Sequence, residues 1–506
     1  MQKSKFVWYF LTTLVVGILL VVFNTRVIWS TSVDLAHHYA LVFRFFESWH
    51  LVPNDLSLAE MNIYPPGSHM AAAMVGKVVG SPFLGMHLVA LGSLVLLWAA
   101  CMSILYAAPN RIGPLSAVAL AFLLVINHGA LRVHGAEISG AYHYAQLVGQ
   151  ALAFAVLVVA LRLDAGLHRT AAYVFLLLVM PVVATVHLLP ALELLGVLAG
   201  LLLLDIVAAQ RSERIRKIVV GAALLAIGIA IVVLHPSFAA MRAISAHNGG
   251  VSLGLLGPMW SLALVSVIVL ATVVPLLRAW NRDRAGNVMH KYLAVYGVAI
   301  AGLCLLQMVL RHFDLGSDYA VKKYAYVLAT FLVLRLAMWI GASATARAER
   351  NPRFALLAQG TPFQVGMFGI ALVAAVLGCA RMRQDVDTFK VVDFERQLLS
   401  LRATGALPAD PRRPVLVADL EGMHIVINYM FSLAVTHTPR DVVLPYFTTG
   451  EDPGPLSQYA LIATSREHSR FDADHRCAKA RSESLLVLDA ACVGQPGSGH
   501  PPTLSR

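Results

Sequence analysis

Charge is what this chain has least of: only 13% of its 506 residues are Asp, Glu, Lys or Arg, against roughly 25% in an average soluble domain. With 58% hydrophobic residues and a mean hydropathy of +0.71, the composition excludes a water-soluble globule and requires a polytopic membrane protein. No ten-residue apolar/polar alternation occurs, which excludes a transmembrane barrel, and the apolar runs have the length of helices that cross a hydrocarbon layer of about 30 Å. No repeat of about 20 to 50 residues is present, so a solenoid is excluded. No small-x-small cleavage site follows the first apolar run, Phe6 to Phe23; Asn24, Thr25 and Arg26 follow it, which makes the segment an uncleaved anchor.

Cysteine is scarce as well. Of the five, Cys101, Cys304 and Cys379 lie in apolar runs and read as small core residues. Cys477 and Cys492 lie in the polar C-terminal region and can form one disulfide if that region is extracytoplasmic.

What the chain does have is a net charge of +11, gathered in short connections. Arg211, Arg214, Arg216 and Lys217 share one turn, Arg278, Arg282, Arg284 and Lys291 a second, and Arg347, Arg350 and Arg353 a third. Short loops rich in Lys and Arg are cytosolic, so the charge reports topology and not a nucleic-acid partner. About eleven spans follow, near 7–27, 84–106, 112–127, 146–163, 170–187, 190–208, 218–235, 257–277, 291–310, 322–341 and 362–380. The expected fold is a membrane all-α bundle with a cytosolic N-terminus in the inner (cytoplasmic) membrane. Met70 to Val79 is too short to span and contains Lys77, so it reads as an interfacial helix.

Three parts are expected: a transmembrane catalytic region (1–381), a small extracytoplasmic α/β domain (382–493), and a disordered Pro/Gly/Ser-rich tail (494–506). The apolar runs Val415–Val417, Ala460–Ile462 and Leu485–Leu488 read as buried strands of the second part.

On this topology the unusual ionisable residues fall in the outward loops. In the first, Asp34, His37 and His38 share one face of a helix running to about Trp49. Asp34 is either a general base toward a substrate hydroxyl or the helix N-cap, and the spacing alone does not decide. Tyr64-Pro65-Pro66-Gly67-Ser68-His69 is a rigid turn that holds Tyr64 and His69 at the membrane surface. The second outward loop carries His128, Arg132, His134, Glu137, His143 and Tyr144, which read as polar lining of a substrate cavity. A divalent metal is the alternative, although the spacing matches no ligand set such as His-Glu-x-x-His. The fifth outward loop brings Arg311, His312, Asp314, Asp318, Lys322, Lys323 and Tyr324 together. Two lysines entering an apolar helix on the non-cytosolic face oppose the positive-inside rule; a bound phosphate explains them, and snorkelling to headgroups is the competing reading. Arg242, His247 and Asn248-Gly249-Gly250 form a further outward loop that reads as a mobile flap.

An N-terminal anchor, an acid near the start of the first outward loop, a Tyr-Pro-Pro-Gly turn and many further spans together resemble the GT-C class of integral membrane glycosyltransferases. The resemblance implies a polyprenyl-phosphate-linked sugar donor, an acceptor hydroxyl on a glycan, lipid or protein, Asp34 as base, and Lys322, Lys323 and Arg311 as donor-phosphate ligands. His37, His38, Tyr64, His69, His134, Glu137, His143, Tyr144, Asp318 and Tyr324 are then the cavity lining. The class commonly carries two neighbouring first-loop acids; here Asp34 is followed by Leu35, which argues against a metal, and no other cofactor is implied. The rival reading is a multi-span transporter or flippase of a lipid-linked or anionic substrate, for which inverted repeats with broken mid-membrane helices would speak.

Overall fold

The computed structural model of the chain describes residues 2–26, 30–107, 112–127, 132–166, 169–245, 257–282, 288–348, 361–380, 386–449, 455–467, 470–471 and 476–494. Its helices are α1 (Gln2–Asn24), α2 (Val33–Glu47), α3 (Gly67–Val79), α4 (Pro82–Leu105), α5 (Ile112–Asn127), α6 (Tyr144–Gly166), α7 (Arg169–Val186), α8 (Leu188–Val207) and α9 (Arg211–Val233). There follow α10 (Pro236–Ser245), α11 (Pro258–Arg282), α12 (Val288–His312), α13 (Asp318–Ala348) and α14 (Thr361–Ala380). His128 and the expected flap at 247–250 lie outside the described residues.

Each expected span coincides with a helix. Eight helices are long and apolar enough to cross a membrane, α4, α6 to α9 and α11 to α13, and the shorter apolar helices in α1, α5 and α14 occupy the remaining positions. The fold is a polytopic membrane bundle. Local chemistry sets its joints. Ser81 caps α4 by accepting from the Leu84 N–H, with Pro82 at the first helical position, where a missing N–H costs nothing. At about 1.5 Å per residue, the 13 residues of α3 are too short to span. It ends at Gly80, whose φ of 75° suits a residue without Cβ, and doubles back onto α4. There Gly85 meets the α3 backbone at Ala72 and Gly76 so closely that a Cβ would collide.

α2 is unusual for an interfacial helix: all residues from Leu35 to Phe45 are buried. It is wrapped by α3 and α4 on one side and by the C-terminal region on the other. That region contains α15 (Thr388–Ala403), β1 (Val415–Val417), α16 (Ile425–Ala434), α17 (Arg440–Thr449), β2 (Leu461–Ser465), β3 (Ala478–Arg481), β4 (Leu485–Asp489) and α18 (Ala490–Val493). The sheet order is β1-β2-β4-β3. β1 and β2 run parallel with Val415 opposite Leu461, joined through α16 and α17 as a parallel pair requires; β4 is antiparallel to both β2 and β3. The three apolar runs are strands, and β3 is an unforeseen edge strand: its Ala-Lys-Ala-Arg alternates between half-buried and exposed without an apolar run to mark it. Cys477 and Cys492 are joined in a disulfide with Cα atoms 5.6 Å apart. Of the tail, only Gly494 is among the described residues.

The C-terminal region is keyed to α2 by side chains. Arg44, 4% exposed, donates to the Ala434 and Leu433 carbonyls at 2.6 and 3.0 Å, capping the C-terminus of α16, and is ion-paired with Asp55 at 2.7 Å. Glu395 of α15 accepts from the Tyr39 hydroxyl at 2.5 Å, the Phe83 N–H at 3.1 Å and the Ser81 hydroxyl.

Candidate functional site

The structure decides the question of the helix cap against Asp34. Ser32 is the N-cap of α2 and accepts from the Asp34 N–H at 3.3 Å, leaving the Asp34 carboxylate, 27% exposed, to face the loop between α5 and α6. That loop is tied to the start of α2: the Ser30 and Ser32 hydroxyls donate to the Gly140 and Ala141 carbonyls at 2.7 and 2.9 Å. A single π turn, Glu137–Ala141, is followed by Tyr142 in the left-handed region at φ 53°. A strained residue of this kind re-aims its neighbour, and its neighbour is His143.

His143 Nδ1 lies 3.2 Å from Asp34 Oδ2. The Tyr319 hydroxyl, from the first turn of α13, donates to the same oxygen at 3.1 Å and is 3.1 Å from His143 Nδ1. Lys323, one turn further along α13, sits 4.3 Å above the Tyr319 ring and 3.1 Å from His187 Nε2, between α7 and α8. Asp34, His143, Tyr319, Lys323 and His187 thus come from four separate stretches of chain.

Beside this group, His38 Nδ1 and His69 Nε2 are 2.9 Å apart, with Tyr64 edge-on to both rings at 5.4 and 5.6 Å and the Tyr144 hydroxyl donating to the Ser68 carbonyl at 2.8 Å. Burial pushes the His69 imidazole down to about 3, and burial together with His69 holds His38 well below its ordinary value. Both are therefore neutral at physiological pH. For Asp34, burial alone would raise the carboxyl; the hydrogen bond with His143, and the positive charge that His143, His38 and His37 carry once protonated at low pH, outweigh it and hold the group well below the usual carboxylate range. Asp34 is therefore an anion.

The remaining expected residues are placed differently. His37 turns toward the C-terminal region, its Nε2 3.2 Å from the Tyr429 hydroxyl, and burial followed by the Arg440 charge pushes it down to about 4. His134 and Glu137 are fully buried and bonded to each other; Glu137 also accepts from the Gly135 N–H at 2.6 Å. They shape the loop from inside it. Tyr324 is 1% exposed, inside the bundle on the side of Glu193 and Cys304, away from Asp34. Arg311 and Asp318 form an ion pair with each other, so Arg311 enters as a partnered cation. Lys291, read as part of a surface turn, is 1% exposed and ion-paired with Asp164. Among the described residues, no three His, Cys, Asp or Glu side chains are grouped to hold a metal ion.

Sequence reasoning missed Tyr319, His187 and Tyr429. Tyr319 was within reach: it precedes Lys323 by four residues, the spacing that stacks side chains on a helix. The other two have no local signal.

A helical membrane bundle with a polar, histidine-rich site at one end is the class the fold and site define. No protein-family model matches the sequence, and a search of the curated proteins returns no match. Among solved structures, the chain is similar to ArnT from Cupriavidus metallidurans bound to undecaprenyl phosphate, at 13% identity and a TM-score of 0.47, covering 98% of this chain and 100% of that one. It is also similar to ArnT of the same organism in the apo state, at 14% identity and a TM-score of 0.46, covering 98% and 99%. The chemistry rests on the site's own geometry.

Proposed function

We propose that this chain is a glycosyltransferase of the GT-C type, moving a sugar from a polyprenyl-phosphate donor to a hydroxyl of a glycan, lipid or protein acceptor on the extracytoplasmic face. The observation that carries this reading is the half-open Asp34 carboxylate, held by His143 and Tyr319 beside Lys323. The acceptor oxygen attacks the anomeric carbon as its proton passes to Asp34, and the bond to the lipid phosphate breaks with its electron pair on the departing oxygen. A phosphate is already a good leaving group, so cations serve it better than an acid. Lys322 and Lys323 supply positive charge on the first turns of α13, where Arg311, paired with Asp318, has less to offer.

Purified protein incubated with polyprenyl-phosphate sugars should release polyprenyl phosphate. Asp34→Asn should lower that release by about 10²- to 10⁴-fold, the worth of general-base help, while the variant still inserts and folds. Retention of most activity would sink the assignment.

A second reading, transport of a lipid-linked or anionic substrate, draws on Glu193, a carboxylate 2% exposed inside the bundle that accepts from Gln150 Nε2 at 2.7 Å and the Tyr296 hydroxyl at 3.0 Å. Ionisable groups at such depth often mark pathways. Movement of a lipid-linked sugar across sealed vesicles, unaffected by Asp34→Asn, would favour it.

A further inference from the structure

On an isolated helix the partners of Asp34 would be local. Side chains three and four positions apart share one face of a helix, so the residues of α2 set to pair with Asp34 are His37 and His38. The folded chain turns both away. His38 Nδ1 is taken up by His69 Nε2 at 2.9 Å, at the end of the Tyr-Pro-Pro-Gly turn. His37 Nε2 is taken up by the Tyr429 hydroxyl at 3.2 Å, with the two rings edge-on and their centroids 6.0 Å apart. The imidazole that does reach Asp34 is His143, 109 positions away, and it meets Oδ2 together with the Tyr319 hydroxyl. Both partners sit on that one oxygen, and Oδ1 is left without a hydrogen bond among the described residues. Oδ1 is therefore the atom open to a substrate hydroxyl.

Tyr429 is presented from a firm mount. It is buried on α16, with its ring stacked on Phe447 of α17 at 5.0 Å between centroids. Arg440, at the start of α17, is ion-paired with Glu60 at 2.5 Å, and its N–H donates to the Leu56 carbonyl at 3.1 Å, so the same region also grips the first outward loop. The charged groups that act on His37 are Arg440, Asp34 on its own helix, and Glu60. Arg440 and Glu60 offset each other in their pair, which leaves Asp34 as the charge toward which a freed His37 would turn. An imidazole on Oδ1 would fill the place of the substrate hydroxyl, and an imidazolium there would also neutralise the carboxylate.

We propose that Tyr429 is a positioning residue of the Asp34 site, a latch in the C-terminal region that holds His37 away from Asp34 and keeps Oδ1 open to the acceptor hydroxyl. What Oδ1 receives rests on the glycosyltransferase reading; the latch itself does not. In the transfer, the acceptor oxygen bonds to the anomeric carbon, its proton goes to Oδ1, and the carbon–oxygen bond to phosphate breaks with its electrons on the phosphate. The latch also sets a pH dependence. In place, His37 is pushed down to about 4 by burial and then by the Arg440 charge, from an ordinary 6.5. Released toward the half-open Asp34, it escapes part of that burial and gains a carboxylate, and both changes raise it. His37 is then neutral at weakly acid pH when latched and charged when free.

Tyr429→Phe removes the hydroxyl and keeps the ring on Phe447. In the full chain in nanodiscs, its release of polyprenyl phosphate from a polyprenyl-phosphate sugar should fall about tenfold below wild type at about pH 6, the worth of one hydrogen bond to a charged group. At about pH 8.5, where a free imidazole is neutral, the loss should be no more than about twofold. The loss should lie in kcat and not in the KM for the donor. Tyr429→Phe combined with His37→Gln, which leaves no imidazole to protonate, should recover most of the loss at the lower pH. His437→Gln breaks a different bridge between the same two parts, the one to Glu47 at 2.9 Å, and should show no such pH dependence. Wild-type rates in Tyr429→Phe at both pH values, an equal loss at both, a loss that His37→Gln does not relieve, or the same pH-dependent loss in His437→Gln would overturn the latch. If wild-type protein releases no polyprenyl phosphate, the glycosyltransferase reading fails and the latch is read from the ring-nitrogen NMR signals of His37, expected neutral at about pH 6 in wild type and charged in Tyr429→Phe. An identical titration in the two proteins would overturn the latch alone.

Discussion

Two charge clusters of the bundle treat their lysines in opposite ways. At the end where α6 and α8 finish and α12 begins, Lys291 is paired with Asp164, Arg169 reaches Asp164 at 3.5 Å and Asp205 at 2.6 Å, and the Tyr173 hydroxyl donates to Asp205 at 2.6 Å. Each charge there has a fixed opposite. At the start of α13, Lys322 and Lys323 lie near the half-open carboxylate of Asp34 without an ion pair to it, and Lys323 leans on the His187 imidazole and the Tyr319 ring. A closed set of charges fastens helices together. A set left short of negative charge is built to receive it from a ligand, and this contrast separates architecture from site more sharply than burial does, since both ends contain nearly inaccessible lysines.

The largest effect should come from breaking the closed end. Lys291→Ala leaves Asp164 buried without its lysine and should cost about 3–5 kcal/mol of stability, read as a lower melting temperature in detergent; an unchanged melting temperature would mean the cluster fastens nothing. Next comes the joint between α2 and the C-terminal region. Burial, working against the hydrogen bonds from Ser81 and Tyr39, pushes Glu395 up to about 7 from an ordinary 4.5. The folded state then binds this proton more tightly than the unfolded chain does. That contribution is fully present below about 4.5 and is lost as pH rises through about 7, on the order of 3 kcal/mol in all. Glu395→Gln should flatten this slope of stability against pH, and a slope equal to wild type would place the titration elsewhere. The smallest stability effect should come from the open end: Lys322→Ala should change folding stability by no more than about 0.5 kcal/mol while weakening lipid-phosphate binding, the reverse of Lys291→Ala. A large drop in melting temperature would show that Lys322 is structural and erase the contrast.

Much of the bundle was legible in the chain because a hydrocarbon layer imposes a length: an apolar run of about twenty residues has few other uses. The shortness of α3 was legible for the same reason. Asp34 could be singled out but not assigned, since a favoured cap residue and a base look alike in sequence; the position of Ser32 as N-cap removes the cap reading. Arg311 and Asp318 illustrate the opposite failure. Seven residues apart at a helix-to-helix turn, they suggested a shared site, and the turn folds them onto each other. β3 escaped because a four-residue edge strand can be polar on its open face and needs no apolar run.

What the sequence determined by itself was the solvent and the scaffold: a membrane, helices of spanning length, and a small α/β region, all consequences of hydropathy and period that act within one segment. What tertiary structure decided was which polar groups meet. His143, Tyr319, Lys323 and His187 reach Asp34 or one another across as many as 285 positions of chain, and Tyr429 reaches His37 across 392. Hydrogen bonds and charges act over a few ångströms and are indifferent to sequence separation, so the partners of Asp34 were fixed only when the helices packed.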